Sequence, residues 1–377
     1  MPGPSSHRHA QTRWLVIGCG GQGRRRAESI AVTPGHRLAA VYDCEPEIAH
    51  RLANDLGVPM IRGLQDALDR HEFDAAAIAT PHTDHVESAY LCLEAGLNVL
   101  IEKPITTSSS HAFRLLDLSH RISSRLAVGF NHRFFPPIEK AIQLIASGAI
   151  GKLQTLEIAI GHAASPDFLA GWHGKRSLSG GGAFLDNGSH ACDLARLLLG
   201  EPIDVSAWSI PLTPQPDAID LETHATFHYA SGACCHITAS WRKIRGYLEL
   251  WAVGDQGRVE VQTTPWSLIR IDQRGRIHRD RFLAARIRER LHRARHGGER
   301  SLVRELVQFS ASPQPQSLPS LATGYDGLRA VQMVEAVELA CRTGRKVSVA
   351  QAMVTPPPQV VSHNTPTQHR VSVGLDR

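Results

Sequence analysis

Short apolar runs alternate with helical patterns along the first third of the chain. The apolar runs end in glycine or in polar residues and lie at 14–17, 38–42, 73–79, 98–101 and 125–129. Continuous apolar runs of this length are typical of strands that are buried on both faces of a sheet. Because helical stretches separate them, the pattern predicts an α/β domain with a doubly wound parallel sheet over residues 13–131.

A different pattern begins after residue 131. Two helices are predicted at 138–147 and 186–199, and strands at 152–161, 205–210, 220–230, 233–241, 246–253, 257–262 and 267–272. Strands separated by short turns are typical of hairpins in an antiparallel sheet. We therefore expect an α+β domain over 132–350, whose final helix (328–343) is in position to pack back on the first domain. The polar ends, 1–12 and 351–377, are predicted to be disordered.

Composition narrows the range of functions. The 377-residue chain has a net charge of +5 with histidines neutral, which suits anionic ligands but is too weak to indicate nucleic acid. Its seven cysteines form no CxxC pair, so we expect reduced thiols in the cytoplasm. No apolar run reaches the roughly 18 residues of a membrane span. The Arg-rich stretch 274–300 lacks interleaved aromatic residues, so it predicts a solvated helix, or a contact for a nucleotide-sugar phosphate or another subunit.

The first candidate site is a glycine-rich turn between the first strand and the first helix. Gly18, Gly20 and Gly23 form the pattern GxGxxG, with Gly21 and Gln22 inside it. The first glycine permits the tight turn, the second lets the backbone approach a pyrophosphate, and the third allows close packing of helix on strand. The turn therefore predicts a Rossmann dinucleotide cradle.

Asp43 ends the second strand about 20 residues after the last glycine, the usual place of a carboxylate that binds ribose hydroxyls. Such a carboxylate repels a 2′-phosphate, so NAD is favoured over NADP. Arg24, Arg25 and Arg26 weaken that preference, because one of them could reach a phosphate instead of lying on a solvated helix face. Asp43 also has an alternative role, as a simple cap of the next helix.

The second candidate site combines residues that are far apart in sequence. Glu102-Lys103-Pro104 follows a predicted parallel strand, at the sheet edge where such folds bind ligands. A lysine there can stabilise negative charge that develops on a substrate oxygen. Asp186 and His190 are four residues apart and share a helix face, and a carboxylate beside an imidazole favours the protonated ring. The pair suits acid–base catalysis, and the alternative is a helix cap beside a satisfied histidine.

The order and spacing of several motifs resemble those of the Gfo/Idh/MocA oxidoreductases, in particular their inositol dehydrogenase-like branch. The similar segments cover nearly the whole chain except its ends and are GCGGQG (18–23), TPHTDH (80–85), AGLNVLIEKPI (95–105), VGFNHRF (128–134), SGAIGKL (147–153), SGGGAFLDNGSHACDL (179–194) and DGLRAVQMVEAVELACRTGRKVSV (326–349). The resemblance implies a Rossmann domain followed by an open, mainly antiparallel sheet with helices on one face. It also implies NAD(P)-dependent hydride transfer on a sugar, a sugar derivative or a cyclitol such as inositol, by a homodimer or homotetramer.

The resemblance further implies roles for individual residues. His190 matches the proton acceptor, with Asp186 beside it to stabilise the imidazolium, and Lys103 matches the lysine that contacts the reacting oxygen. Residues matching cofactor-contacting segments are Thr80, Pro81, His82, His85, Glu102 and Lys103. Residues matching segments that face the substrate are Asn131, Arg133, Trp172, His173, Lys175 and Arg176. His82 departs from the family, in which asparagine usually follows Thr-Pro.

Other interpretations stay open. A hydrolase of the same fold would use bound NAD transiently to cleave a glycosidic bond, without net formation of NADH. A non-catalytic sensor of sugars is another alternative, although a sensor need not keep the set Lys103, Asp186 and His190. His82, Asp84 and His85 lie close together, but no further metal ligand is evident and catalytic zinc sites use about three protein ligands, so no metal is expected.

Overall fold

The computed structural model describes residues 11–70, 72–215, 218–311 and 319–350. The predicted disordered ends therefore lie outside the described residues, except for Gln11 and Thr12. Thr12 begins the first strand, so for this residue the prediction is wrong. Among the described residues, no helix combines the length and the apolar character that crossing a membrane requires.

The strands are β1 (Thr12–Ile17), β2 (His36–Tyr42), β3 (Ala75–Ile78), β4 (Asn98–Ile101), β5 (Leu126–Val128), β6 (Leu153–Ala163), β7 (Pro202–Pro211), β8 (Asp220–Tyr229), β9 (Cys234–Ser240), β10 (Arg242–Gly254), β11 (Gly257–Thr263), β12 (Trp266–Asp272), β13 (Ile277–Asp280), β14 (Ala322–Thr323) and β15 (Val347–Ser348). The α-helices are α1 (Gly21–Val32), α2 (Pro46–Leu56), α3 (Leu64–Asp69), α4 (His85–Glu94), α5 (Ser109–Arg121), α6 (Pro136–Ala146), α7 (Pro166–Ala170), α8 (Arg176–Ser179), α9 (Ser189–Leu199), α10 (Leu283–His296), α11 (Arg300–Ser310) and α12 (Gly324–Thr343). A π-helical turn, Phe184–Gly188, leads directly into α9.

The first sheet has the strand order β14-β5-β4-β3-β1-β2. β1 to β5 pair in parallel, which confirms the predicted sheet, whereas β14 joins its edge antiparallel from near the C-terminus. Alternate residues of β1 pack on opposite faces. Trp14 and Val16 contact apolar residues of α1 and α2, and Leu15 and Ile17 belong to the cluster that includes α4 and α5. Burial on both faces explains why these strands read as continuous apolar runs.

The second sheet has nine strands in the order β13-β12-β11-β10-β6-β9-β8-β7-β15. β6 and β9 pair in parallel and the other neighbours pair antiparallel, which confirms the predicted mainly antiparallel sheet. Helices α6, α9 and α12 pack against its strands. The predicted association into dimers or tetramers stays a prediction.

Helix α12 packs against both domains. It contacts α5 and β5 of the first domain and α9 and β7 of the second. Thr323 and Asp326 form a reciprocal capping box that starts the helix earlier than the sequence predicts. Gly327 permits the close approach to the first sheet, because an added Cβ would lie 2.6 Å from Cγ2 of Val128.

A buried ionic network joins α1, the end of β4 and α11. Arg26 is 1% exposed, and it donates to Glu102 at 2.5 Å and to Glu305 at 2.6 Å. The expectation that Arg26 lies on a solvated helix face or reaches a phosphate is therefore wrong. Sequence spacing could not place it, since its partners come from positions far along the chain. Two carboxylates share one guanidinium, which disfavours ionisation of both carboxylates at once.

We expect this network to make folding sensitive to pH. Burial and the nearby Glu102 raise the pKa of Glu305 from 4.5 to about 7, although Arg26 opposes the shift. A pKa that is higher in the folded state stabilises the fold below the unfolded value, and this stabilisation is lost as the pH rises through the folded value. Glu305→Gln should therefore flatten the fall in melting temperature between about pH 5 and pH 8. Glu94→Gln, on the surface of α4, is the matched control, and equal falls in both variants would contradict the prediction.

Candidate active site

The carboxyl ends of the parallel strands face a cavity of about 1010 Å³ between the two domains. The predicted cofactor-binding residues that line it are Gly18, Gly20, Gly21, Gln22, Asp43, Thr80, Pro81, His82, His85, Glu102 and Lys103. The predicted substrate-binding residues that line it are Asn131, Trp172, His173, Asp186 and His190. Candidates from both domains therefore meet in one space.

The glycine-rich turn leaves its backbone open toward the cavity. Gly18 has a φ of +88°, and a Cβ there would lie 2.6 Å from the backbone of Ala79. A Cβ on Gly23 would lie 1.7 Å from the carbonyl oxygen of Gly18, so Gly23 serves helix–strand packing and lies behind the cavity wall. A Cβ on Gly20 or Gly21 would meet nothing within 4 Å. Helix α1 starts here without a side-chain cap, which leaves its first amides available for phosphate oxygens, so the turn fits a dinucleotide.

Asp43 borders the cavity at the end of β2. Its carboxylate accepts hydrogen bonds from the backbone amides of Cys19 at 2.7 Å and Glu45 at 2.9 Å. Glu45 is the N-cap residue of α2, and no side chain caps that helix, so Asp43 braces the residue before the helix and does not cap it. The same carboxylate also ties the glycine-rich turn to the strand. An ionised carboxylate has about four lone-pair positions, so these bonds leave acceptor capacity for ribose hydroxyls.

Glu102 contacts the glycine-rich turn through the side chain of Gln22. Its Oε1 accepts a hydrogen bond from Nε2 of Gln22 at 2.9 Å as well as from Arg26. Because Gln22 lies in the turn, this bond couples the buried ionic network to the predicted cofactor cradle.

Two buried histidines hold the loop that follows β3. Nδ1 of His82 lies 2.9 Å from the carbonyl oxygen of Ser179 in the second domain. The ring nitrogens of His85 lie 2.8 Å and 3.1 Å from the carbonyl oxygens of Pro104 and Thr80. Burial lowers the pKa of both histidines, that of His82 to about 3, so both rings are neutral. The histidine that departs from the family pattern thus connects the loop to the opposite domain.

An ion pair joins the two domains inside the cavity. Lys103 follows β4, and Asp186 lies in the π-helical turn. The ammonium contacts the Asp186 carboxylate and donates to its backbone carbonyl oxygen at 3.1 Å. Burial opposes ionisation of Asp186, but Lys103 and His162 outweigh it and hold the pKa of Asp186 well below its usual value. The carboxylate is therefore ionised at neutral pH.

Local hydrogen bonds anchor the chain where the π turn begins. The part-buried carboxylate of Asp220 accepts from the backbone amides of Gly182 at 3.1 Å and Phe184 at 2.9 Å. A Cβ on Gly182 would lie 2.0 Å from the carbonyl oxygen of Asp220, so only glycine permits this approach. Single π turns within helices are frequent at functional sites. The glycine-rich passage before Asp186 thus serves the turn that presents the carboxylate.

His190 lies in the first turn of α9 and is 5% exposed. Its ring stacks on that of His132, with centroids 3.8 Å apart. Burial, followed by the nearby His132 and Lys103, lowers the pKa of His190 well below its usual value. Among the described residues, Nδ1 of each stacked ring is buried without a hydrogen-bond partner. Unsatisfied buried nitrogens are costly and are typical of a site that a ligand completes.

The predicted arrangement of Asp186 against the His190 ring is wrong. Within the described part of the chain, no hydrogen bond or ion pair joins them, and Asp186 is engaged by Lys103 and His162. The reason is that an ammonium is a stronger partner for a carboxylate than a neutral imidazole is. The His190 ring is therefore neutral and is not held in its protonated form.

His162 lies beside the Asp186 carboxylate but is not among the site residues predicted from the sequence. Its Nε2 lies 3.8 Å from the Asp186 carboxylate, and this neighbour raises the pKa of His162 although burial opposes the shift. His162 follows the buried residues Ile158 and Ile160 at a spacing of two along β6. A polar residue in register with the apolar face of a strand was the only available signal.

A row of aromatic rings forms a wall near the ion pair. The His173 ring stacks on Trp172, with centroids 3.7 Å apart, and on Phe168 at 3.9 Å. Trp172 meets His82 edge-on at 4.8 Å. Burial lowers the pKa of His173 to about 4, so its ring is also neutral. Flat apolar surfaces beside a few polar groups are characteristic of small-molecule pockets.

Two predicted substrate-binding arginines do not line this cavity. Arg133 is 2% exposed and pairs with Asp193, with Nε 2.7 Å from the carboxylate, so it holds α9 against the end of the first domain. Arg176 borders a different cavity, and its guanidinium lies 3.8 Å from Glu338. Sequence spacing could not show this, because the carboxylates beside these arginines, Asp193 and Glu338, are distant from them in sequence.

A glycine-rich turn that leaves the first amides of α1 open and a neutral, buried imidazole share one cavity. This combination defines a dinucleotide-dependent oxidoreductase. Residues 12–130 match the oxidoreductase family with an NAD-binding Rossmann fold, and residues 138–260 match the GFO/IDH/MocA C-terminal domain. The chain belongs to the Gfo/Idh/MocA family of NAD-binding oxidoreductases.

Several relatives share most of the chain. The inositol 2-dehydrogenase of Rhizobium meliloti (strain 1021) is 28% identical, covering 90% of this chain and 99% of that protein. The dTDP-3,4-didehydro-2,6-dideoxy-alpha-D-glucose 3-reductase of Saccharopolyspora spinosa is 30% identical, covering 69% of this chain and 79% of the other. The fold is also that of levoglucosan dehydrogenase in complex with NADH and levoglucosan, with a TM-score of 0.77, 20% identity, and coverage of 90% and 99%.

We expect Asp186 to control the titration of His162. Removing the charge by Asp186→Asn leaves burial as the main influence, so the pKa of His162 should fall from above its usual value to below it. Ring-proton chemical shifts of His162, followed by NMR over pH, measure this change without any substrate. Asp167→Asn, on the nearby α7, is the matched control. An unchanged His162 titration in Asp186→Asn would contradict the assigned contact.

Proposed function

We propose that this enzyme transfers a hydride between NAD and a secondary alcohol or ketone carbon of a sugar, a sugar derivative or a cyclitol. One observation carries the proposal: Lys103, Asp186 and His190 line the same cavity as the glycine-rich turn. Proton transfer and hydride transfer need this proximity, because both act on one carbon and its oxygen.

Each polar residue has a distinct part in this mechanism. The bound cofactor would supply the redox chemistry, with its oxidised form as hydride acceptor and its reduced form as hydride donor. His190, whose lowered pKa keeps it neutral at pH 7, accepts the hydroxyl proton of the alcohol. Lys103 stabilises the negative charge that develops on the same oxygen. Asp186 is a positioning residue, since it contacts the Lys103 ammonium.

The names of the relatives support the substrate class. They describe enzymes that act on inositol, on a dTDP-linked keto sugar and on levoglucosan. The aromatic row formed by Phe168, His173 and Trp172 suits the apolar face of a sugar or cyclitol ring, with the ion pair beside its hydroxyl edge.

The contacts of Arg26 in α1 support NAD over NADP. Arg26 is buried in its ionic network, Arg24 lies 2.6 Å from Asp55, and Arg25 lies 3.7 Å from Glu299. Arg26 is therefore withdrawn from a 2′-phosphate, whereas Arg24 and Arg25 are held by exposed ion pairs and Arg25 also lines the cavity. Asp43 at the ribose end of the cradle acts in the same direction.

Asp43→Ser should reverse the cofactor preference. Without the carboxylate, ribose hydroxyls lose a charged acceptor and a 2′-phosphate is no longer repelled, so we expect NADH affinity to fall about tenfold and NADPH affinity to rise. Quenching of tryptophan fluorescence by the two cofactors measures both affinities. Asp117→Asn, on the surface of α5, should change neither. Equal weakening of both cofactors would show that Asp43 only supports the loop.

His190→Ala should abolish most turnover while the cofactor still binds. Purified protein and NAD are offered a panel of polyols, aldoses and nucleotide sugars, and NADH absorbance is followed. We expect steady NADH formation with one member, and a loss of about 10²–10⁴-fold in His190→Ala, the usual worth of a general base. His120→Ala, on the surface of α5, serves as the control. NADH binding with no turnover of any panel member would overturn the proposal in favour of the hydrolase or the sensor.

A further inference from the structure

A second cavity adjoins the first one. Its volume is about 920 Å³, and it shares Arg25, His132, Phe135 and Arg293 with the catalytic cavity. His132 stacks on His190, and His162, which lies beside Asp186, borders the second cavity. A substituent on a substrate held near the ion pair can therefore extend into this space.

One face of α10 forms a wall of the second cavity. Ala285, Arg288, Glu289 and Arg293 line it, and their spacing of three, four and eight residues places them on one side of the helix. The Arg-rich stretch therefore presents Arg288 and Arg293 to the cavity, whereas Arg290 and Arg295 do not line it.

The cations of this cavity outnumber its anions. Two of its carboxylates are already paired: Glu139 lies 2.6 Å from Arg304, and Glu289 lies 2.9 Å from Arg293. Besides Arg25, which lies 3.7 Å from Glu299, the remaining positive groups are Lys140, Arg288 and Arg300. Among the residues that the structure describes, no carboxylate lies within salt-bridge distance of these three.

The cavity also offers apolar surface and ample volume. Phe135 and Trp266 line it, with ring centroids 6.2 Å apart. Its volume lies at the upper end of the roughly 300–1,000 Å³ of small-molecule pockets, more than a single carboxylate or phosphate fills. Guanidinium groups recognise phosphate by paired hydrogen bonds, and aromatic faces accept nucleobases by stacking.

We propose that the substrate carries a phosphoryl substituent, and that Arg288 and Arg300 bind this group in the second cavity while the sugar ring lies at Lys103, Asp186 and His190. This inference rests on the proposed function. A nucleoside diphosphate and a simple phosphate ester offer the same phosphoryl chemistry. Only the nucleoside diphosphate also carries a base that can stack on Phe135 or Trp266.

The test measures binding to the full chain with NADH at saturation, so that the cofactor cradle is filled. UDP, inorganic pyrophosphate and inorganic phosphate are titrated separately by calorimetry. We expect binding that weakens with added salt, and a loss of about tenfold or more in the double variant Arg288→Gln/Arg300→Gln, as charge-assisted bonds are removed. The control is Arg290→Gln/Arg295→Gln, which changes two arginines of α10 that do not line either cavity.

The outcomes distinguish a nucleoside diphosphate from a simple phosphate ester, and they test the phosphoryl subsite separately from the proposed hydride transfer. UDP binding much tighter than pyrophosphate supports a nucleotide-linked sugar, and equal binding of the two supports a phosphate ester. Absence of binding by all three probes, or equal losses in both double variants, overturns the phosphoryl subsite. If the phosphoryl subsite is overturned but NADH still binds in the same samples, the proposed hydride transfer is unaffected. Failure to bind NADH would count against the proposed function itself.

Discussion

The contact between the Lys103 ammonium and the Asp186 carboxylate is the interaction on which the cavity depends. Lys103 is placed by the end of a parallel strand, and Asp186 by a π turn that Asp220 holds through two backbone amides. Each charge is partly buried, so neither would be stable there alone, and breaking a buried pair typically costs several kcal/mol. The ion pair therefore joins the two domains at the point where the chemistry is proposed to occur.

The same pair sets the charge state of the histidines around it. Lys103 opposes protonation of the buried His190 and His132, whereas Asp186 favours protonation of the half-buried His162. Burial decides the first two, and a close carboxylate decides the third. The site thus holds neutral imidazoles in its interior and keeps its titrating histidine at the border with the second cavity. A neutral ring in the interior is what a proton acceptor requires.

The parts of the site that the sequence predicts are those governed by local rules. Gly18 and Gly20 can be found because a tight turn and a close phosphate approach demand glycine at fixed spacing. Lys103 and His190 follow from the resemblance of their motifs. Arg26 and Arg133 were misplaced, because each is neutralised by carboxylates that are distant in sequence. Likewise, the fold class followed from hydrophobic periodicity, but the antiparallel edge strand β14 did not, since two residues carry no periodic signal.

The most direct test of the central claim is the stoichiometry of the reaction. NADH and oxidised sugar product are quantified in one assay, by absorbance and by mass spectrometry, with the substrate that the panel identifies. Hydride transfer with release of both products predicts one NADH for each molecule of ketone formed. Consumption of substrate without net NADH would contradict the account, because NAD would then be used and restored within a single cycle.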